Sequence, residues 1–366
     1  MNVELNLRPR KNVPRWLAYG TPVFTVLAAL AVSGVALVVL DVSPVTAYST
    51  MFLDTLTTQF GQTETLIKSV PLILTGLAVY LPLKAGLFNI GAEGQLILGA
   101  LAGTWIGLNV SLPMVALVPL MFLAAAIAAG FWAWIPAWLR AKWDVNEIIT
   151  SLLLSFVALQ IQGFLVRGPM QGGTGNFPQT ARFSDAATIP TVGSGVHAGI
   201  LVAALMVILT YVLMAHTRLG FEITFVGSND EAAQQAGMSK YKVYILVFVL
   251  GGAFAGMAGI SEIAGLQGRL RAGFEPGYGF TAIPIALLGR NSAAKVMLAG
   301  LFFAVLFVGG SSMEVALGVP AALVEVIQAL VILFLITAEF FKRYRVGVTV
   351  GRGASAAGAT TRGGGD

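Results

Sequence analysis

Cysteine is absent from the 366 residues, and His197 and His216 are the only histidines. That removes disulfides, thiolate catalysis and cysteine-ligated metals, and two histidines about a helix length apart offer no histidine-based metal site. Charge is scarce as well: 11% of residues are charged against 57% hydrophobic. A soluble domain carries roughly a quarter charged residues. A chain this poor in charge has no means of covering a water-facing surface, so lipid is its expected solvent. The formal net charge of +5 does not point to nucleic acid, because the basic residues are divided among connecting segments rather than gathered in one patch. Also missing are a GxxxxGK[ST] phosphate loop, a serine-nucleophile motif and HExxH. Neither an ATPase nor an intramembrane hydrolase within this chain has a motif to support it.

What the chain does have is long apolar runs. Val23–Leu40, Met114–Trp134 and Leu323–Ala338 are apolar on every side, which suits helices crossing a bilayer and not the alternation of a membrane β-barrel. The expected fold is an all-α polytopic transmembrane bundle of roughly ten spans. They fall near 16–40, 66–84, 87–108, 114–138, 147–166, 198–216, 243–263, 279–290, 294–313 and 320–341. The eighth is short, and the second and third are nearly fused through Lys84–Gly86, so one or two pieces are candidates for re-entrant segments.

Residues 1–15 read as a basic cytoplasmic segment (Arg8, Arg10, Lys11, Arg15), residues 16–345 as the transmembrane domain, and residues 346–366, rich in Gly, Ala and Thr, as a flexible cytoplasmic tail. The first apolar run is too long for a signal peptide and has no small-residue cleavage site before Asp41. With the N-terminus inside, Lys84, Arg140, Lys142, Arg218, Lys240, Lys242, Arg290, Lys295, Lys342, Arg343 and Arg345 fall on the inner side. Lys68, Arg167, Arg182, Arg269 and Arg271 fall outside, and both termini are cytoplasmic. Trp132, Trp134, Trp138 and Trp143 read as interfacial anchors at one membrane edge.

The inner segment 217–242 holds a charged-fronted helix. Ser228-Asn229-Asp230-Glu231 reads as a capping box with Ser228 as N-cap, and Gly237 ends the helix about two turns later. Ala232, Ala233 and Ala236 form a small face that another surface could approach closely. The outer segment 167–197, full of Gly and Pro, is an irregular cap.

Polar residues inside the apolar background are the candidates for function. On a helix, Asn89 and Glu93 would share one face, with Gly91 and Gln95 on a neighbouring one. An intramembrane carboxylate faces a cavity or a partner. For Glu93 that leaves a translocation path, a pair with Lys84, or a bond between helix ends. Glu262 and Glu325 are equally open between lining a pathway, carrying a proton and internal pairing. Gly99, Gly103 and Gly107, like Gly252 and Gly256, stand at the spacing of close helix contacts. Gly273–Arg290, with Gly277, Gly279 and Pro284, reads as a broken helix beside a cavity, giving Phe280 and Thr281 a place on the path.

Four runs, GLFNIGAEGQLILGA (86–100), NEIITSLLLSF (146–156), GSNDEAAQQAGM (227–238) and GFTAIPIALLGR (279–290), occur in the order seen in permease subunits of bacterial ABC importers. The chain resembles the branch serving nucleosides and simple sugars, and within it the purine-nucleoside permeases that work with a basic-membrane-protein-type binding lipoprotein. The resemblance covers roughly residues 15–345. It implies a second, non-identical permease, a partner ATPase that holds ATP and Mg, and an extracytoplasmic binding lipoprotein. It also implies residence in the bacterial plasma membrane, and no cofactor or catalysis on this chain. A small neutral solute, a nucleoside first and a simple sugar as the alternative, would pass Phe88, Asn89, Glu93, Gln95, Ser155, Gln160, Glu262, Phe280 and Thr281. Gly227, Ser228, Asn229, Glu231, Ala232, Ala233 and Gly237 would form the element that docks on the ATPase. Two positions depart from the family pattern: Thr224 and Phe225 stand where an arginine is usual, and Ser155 where an asparagine is frequent. The rival readings are a proton-coupled secondary transporter and a non-transporting membrane scaffold.

Overall fold

A computed structural model describes residues 2–9, 15–172, 177–193 and 195–351. In chain order it contains β1 (Asn2–Pro9), α1 (Arg15–Val39), α2 (Pro44–Tyr48), a π-helical turn (Ser49–Asp54), α3 (Thr55–Thr57), α4 (Gln59–Lys84), α5 (Ala92–Asn109), α6 (Met114–Trp143) and α7 (Glu147–Arg167). A 3-10 turn (Asp185–Ala187), β2 (Thr191–Val192), β3 (Val196–His197), α8 (Gly199–His216), α9 (Arg218–Ser228) and α10 (Asp230–Gln235) follow. The chain continues with α11 (Lys240–Glu262), a π-helical turn (Ile263–Gln267), α12 (Tyr278–Leu288), α13 (Ala293–Leu317), α14 (Ala321–Arg343) and β4 (Tyr344–Gly351).

The residues form two compact units, Gly34–Gln328 and Met1–Ser33 with Ala329–Asp366. In the second, β1 and β4 pair antiparallel from Asn2↔Gly351 to Pro9↔Tyr344. Residues 346–351, expected to begin a flexible tail, are therefore paired backbone. The alternation of valine with small or polar residues in Arg345–Val350 suits a strand. The rest of that expected tail, 352–366, and the basic residues Arg10 and Lys11 lie outside the described residues.

Among the described residues, seven helices are long and apolar enough to cross a membrane: α4, α6, α7, α8, α11 with its π-helical extension, α13, and Ala321–Ala338 of α14. Phe24–Val39 and α12 are shorter apolar pieces. α5 has 18 residues but carries Glu93, Gln95 and Asn109, which lower its hydropathy. The chain is a multi-pass helical membrane protein, and its expected count of roughly ten exceeds these seven by α1, α5 and α12.

α4 is the centre of the larger unit, with every residue from Ser69 to Leu83 buried. α5, α6 and α11 close on one another through small residues. A Cβ at Gly99 would overlap Gly256, one at Gly256 would overlap the Ala125 carbonyl, and one at Gly259 would overlap the Leu96 carbonyl. Gly99, Gly252 and Gly256 thus serve backbone approach, which in lipid takes the place of a hydrophobic driving force, while Gly103 and Gly107 make room for the Ile260 and Met121 side chains. Trp134 and Trp138 stack near the end of α6, Trp138 meets Trp143 edge-on, and Lys142 lies over both Trp138 and Trp143.

Residues 177–193 form a fitted cap over the end of α11. Thr180, Phe183 and Ile189 donate backbone N–H groups to Leu270, Gly268 and Ala264, and Ala272 donates to Pro178. Buried Gln162 on α7 completes this, its amide donating to the Arg271 carbonyl and accepting from Gly273. Non-helical backbone at the end of a membrane helix is thereby satisfied by protein. His197, at the edge of the same cap, is pushed below its ordinary pKa by burial, and its Nδ1 accepts the Gly199 N–H at 3.2 Å.

Candidate functional site

Two helix N-termini meet at Glu93. α12 has only 11 residues, about 16 Å of rise, roughly half of a ~30 Å hydrocarbon core. Its first turn has free N–H groups that must be satisfied. The Glu93 carboxylate supplies the acceptors, at 2.9 Å from Gly277 N and 2.6 Å from Gly279 N. Glu93 also lies in the first turn of α5, so a negative group serves the positive ends of two helix dipoles. Glycine is required at both contacts: Gly277 has φ +75°, and a Cβ at Gly279 would overlap the Glu93 backbone. Glu93 thus bonds two helix ends together, and Lys84 is not among its hydrogen-bond partners.

Asn89 and Glu93 do not share a helical face. α5 starts only at Ala92, and Leu87–Gly91 approaches it as irregular chain. Asn89 is buried and acts before the helix: its amide pairs reciprocally with the Gln95 amide, 2.9 Å in each direction, and its Oδ1 also accepts the Gly91 N–H. The physical reason lies in the glycines at 86 and 91. Gly86 takes φ +80°, which a helix does not, and Asn side chains favour bonding nearby backbone outside helices.

Beside this junction lies a cavity of about 820 Å³, open at the end of the bundle where α4 begins and α11 ends. Lys68 is its hub. The ammonium donates to Glu262 Oε1 at 3.0 Å and to the Tyr278 hydroxyl at 2.8 Å. Gln267 donates to the same Glu262 oxygen at 3.4 Å. Tyr278 stands between Gly277 and Gly279, so one residue joins the cavity to the Glu93 clamp. Phe307 meets the Tyr278 ring edge-on at 6.1 Å, and Ser311, Ser312, Glu64 and Glu275 also line the space. Glu262 is thus internally paired and at the same time faces the cavity.

The remaining candidates divide. Phe280 and Thr281 are half-exposed on α12, the Thr281 hydroxyl donating to its own Gly277 carbonyl. Phe88 is 39% exposed, with its N–H on Glu147, which also pairs with Arg140. Ser155 is buried between helices, accepting the Gly94 N–H at 3.2 Å where α5 and α7 touch. Gln160 lies away from the cavity, exposed on the same side of α7 as Phe156 and Phe164. Glu325 is exposed on α14. Lys68 and Tyr278 complete the site although no motif marks either of them. A lysine inside the apolar run of α4 was the available signal.

At the other end of α4, the expected capped helix is present but one residue later. α9 runs through Ser228, whose hydroxyl donates to Thr224. Asn229 is therefore the N-cap of α10, accepting the Ala232 N–H at 2.9 Å. Asp230 and Glu231 occupy its first turn. Its end is a Schellman turn: Gly237 (φ +79°) donates to Gln234, and Met238 to Ala233 at 2.9 Å. Ala233 is buried against the chain, so Glu231, Gln234, Gln235 and Ala236 are what α10 presents outward. Gly227 lies against the turn after α4, where a Cβ would overlap the Lys84 carbonyl.

A family model described as "Branched-chain amino acid transport system / permease component" matches residues 62–336. The chain belongs to this permease family. The permease is 73% identical to the glucose ABC transporter permease protein TsgB13 of Haloferax volcanii, across 100% of this chain and 99% of that one. It is 32% identical to the guanosine ABC transporter permease protein NupP of Bacillus subtilis, over 91% of this permease and 97% of that protein. The putative glucose ABC transporter permease protein TsgC13, also of Haloferax volcanii, is 25% identical over 71% of this permease and 80% of that one. α5, α12, the Lys68–Glu262 pair and α10 lie inside the matched span.

Proposed function

We propose that this permease is the membrane subunit of an ATP-binding-cassette importer and forms the translocation path for a small neutral solute. The observation that carries the reading is the way α10 is built. It is a short helix, capped at both ends, whose neighbouring Gly227 rests on the turn leading into the Leu87–Gly91 segment and the Glu93 clamp. A push on α10 has a route of packed backbone to α12 and the cavity. Neither a proton-coupled carrier nor a scaffold requires such an element.

In this reading ten segments cross the plasma membrane: the seven long helices, α1, α5, and α12 completed by the irregular 268–277. An even count returns both termini to the cytoplasm, in keeping with the pairing of β1 with β4. α10 lies inside and the Lys68 cavity outside. The partners are an ATPase that carries ATP and Mg, a binding lipoprotein outside, and a second, non-identical permease. The likeness to both TsgB13 and TsgC13 of one organism supports such a pair. This chain itself performs no hydrolysis and binds no cofactor. Closure of the ATPase moves α10, opens the path outward and admits the solute, and hydrolysis restores the inward state.

For the solute, 73% identity to a glucose permease supports a hexose, and 32% identity to a guanosine permease supports a purine nucleoside. Both are neutral and carry hydroxyls, for which the cavity's serines, tyrosine and ion pair are suitable partners. The test is gentle purification of the tagged chain from its native membrane, followed by ATP-driven uptake of glucose and guanosine in vesicles. Co-purification of an ATPase with uptake of either solute is expected. A chain that emerges alone, with uptake that stops when the proton gradient is collapsed, would overturn the reading.

A further inference from the structure

The Lys68–Glu262 pair has hydrogen-bonding capacity left over. An ammonium has three donors, and two of those on Lys68 go to Glu262 and Tyr278. Lys68 is 25% exposed, while Glu262 is only 3% exposed at the wall of the cavity. Both protein bonds to Glu262 arrive at Oε1, so Oε2 takes none among the described residues. A donor and an acceptor held together by a 3.0 Å ion pair are therefore open side by side. The cavity, about 820 Å³, also offers the Tyr278 and Phe307 rings and the Ser312 hydroxyl.

Resting on the importer reading, we propose that this cavity is a binding station of the permease itself, which recognises its solute through a vicinal diol. One hydroxyl of the diol donates to Glu262 Oε2 and its neighbour accepts from Lys68. The Tyr278 and Phe307 rings cover the carbon face of a pyranose or ribose ring. The closed pair selects for this group. A zwitterionic amino acid would have to separate the ion pair to use its charges, whereas a diol binds without breaking it. Hexoses and ribonucleosides share the diol, so the station serves either class, and the rest of the ligand distinguishes them.

The test is equilibrium dialysis of the full-length chain in lipid nanodiscs, with no binding lipoprotein, against radiolabelled D-glucose and guanosine. Binding of at least one is expected. It should weaken about tenfold or more in Glu262→Gln, as for loss of a hydrogen bond to a charged group. The matched analogues without a free vicinal diol, 2,3-di-O-methylglucose and 2′-deoxyguanosine, should weaken to a similar degree. Tyr278→Phe keeps the ring and serves as the second variant, with a smaller loss expected because Lys68 then has one partner fewer to hold it. Unchanged affinity in Glu262→Gln and for the diol-free analogues overturns the station, as does displacement of the bound solute by leucine at equal concentration. No binding of either ligand overturns it too, and if ATP-driven uptake persists in vesicles the importer reading stands without it. Diol-dependent binding with no ATP-driven uptake would leave the station and remove the importer reading.

Discussion

The Glu93 carboxylate accepts the backbone N–H of Gly279 at 2.6 Å across 186 residues of sequence. One side chain thereby fastens the start of α12 to the start of α5, and Tyr278 carries that junction on to Lys68 and Glu262.

The closeness of this contact makes Gly279 irreplaceable in size. A methyl group there meets the Glu93 and Ala92 backbone, and overpacking of this kind costs about 1–3 kcal/mol. Gly279→Ala should lower the melting temperature in detergent, and Gly279→Val should abolish uptake. Full uptake by the valine variant would contradict the clamp.

Glu93→Gln offers one acceptor and one unwanted donor to two backbone N–H groups. Losing a hydrogen bond to a charged acceptor costs about 1.5–3 kcal/mol. The expected result is faster hydrogen exchange at Gly277–Thr281, with α10 unaffected. Equal exchange in both proteins would mean the clamp contributes little.

At the Schellman turn, Gly237 sits at φ +79° with open space around its Cβ position, so substitution there tests conformation without crowding. Asn tolerates the left-handed region, and other residues lose about 1–2 kcal/mol. Gly237→Asn should therefore retain ATP-driven uptake while Gly237→Val loses much of it, with solute binding unchanged in both. Gly237→Asp should be milder than Val. Indistinguishable uptake in all three would remove α10 from the coupling route.

His197 is buried with its pKa lowered, so the folded state favours the neutral ring. Stability from this residue is complete above the ordinary value of about 6.5 and declines as pH falls toward the lower folded value. Melting curves between pH 7.5 and 5 should fall more steeply for the wild type than for His197→Gln. Parallel curves would assign the acid sensitivity to other groups.

Much of this protein is legible in local sequence. The apolar runs at 114–134 and 323–338 specify membrane helices, because lipid requires each spanning segment to satisfy its own backbone. Gly237 as a helix stop and the four-residue glycine spacing of α5 and α11 are equally local signals. The N-cap of α10 was displaced by one residue because Ser228 and Asn229 are both good caps, and only the exit of α9 decides between them.

Tertiary structure alone decided the site. Helical spacing suggested a common face for Asn89 and Glu93, but a start for α5 at Ala92 breaks that face. Nothing near Glu93 in sequence announces Gly277 and Gly279, nor does anything near Lys68 announce Glu262, 194 residues away. The sequence by itself determined a multi-pass helical membrane protein with a charged-fronted helix in one connection, because hydropathy and capping act over a few turns. The partner of each intramembrane charge was decided by packing. A buried charge takes whichever donor or acceptor the fold brings within hydrogen-bond distance, and that proximity has no counterpart in residue spacing.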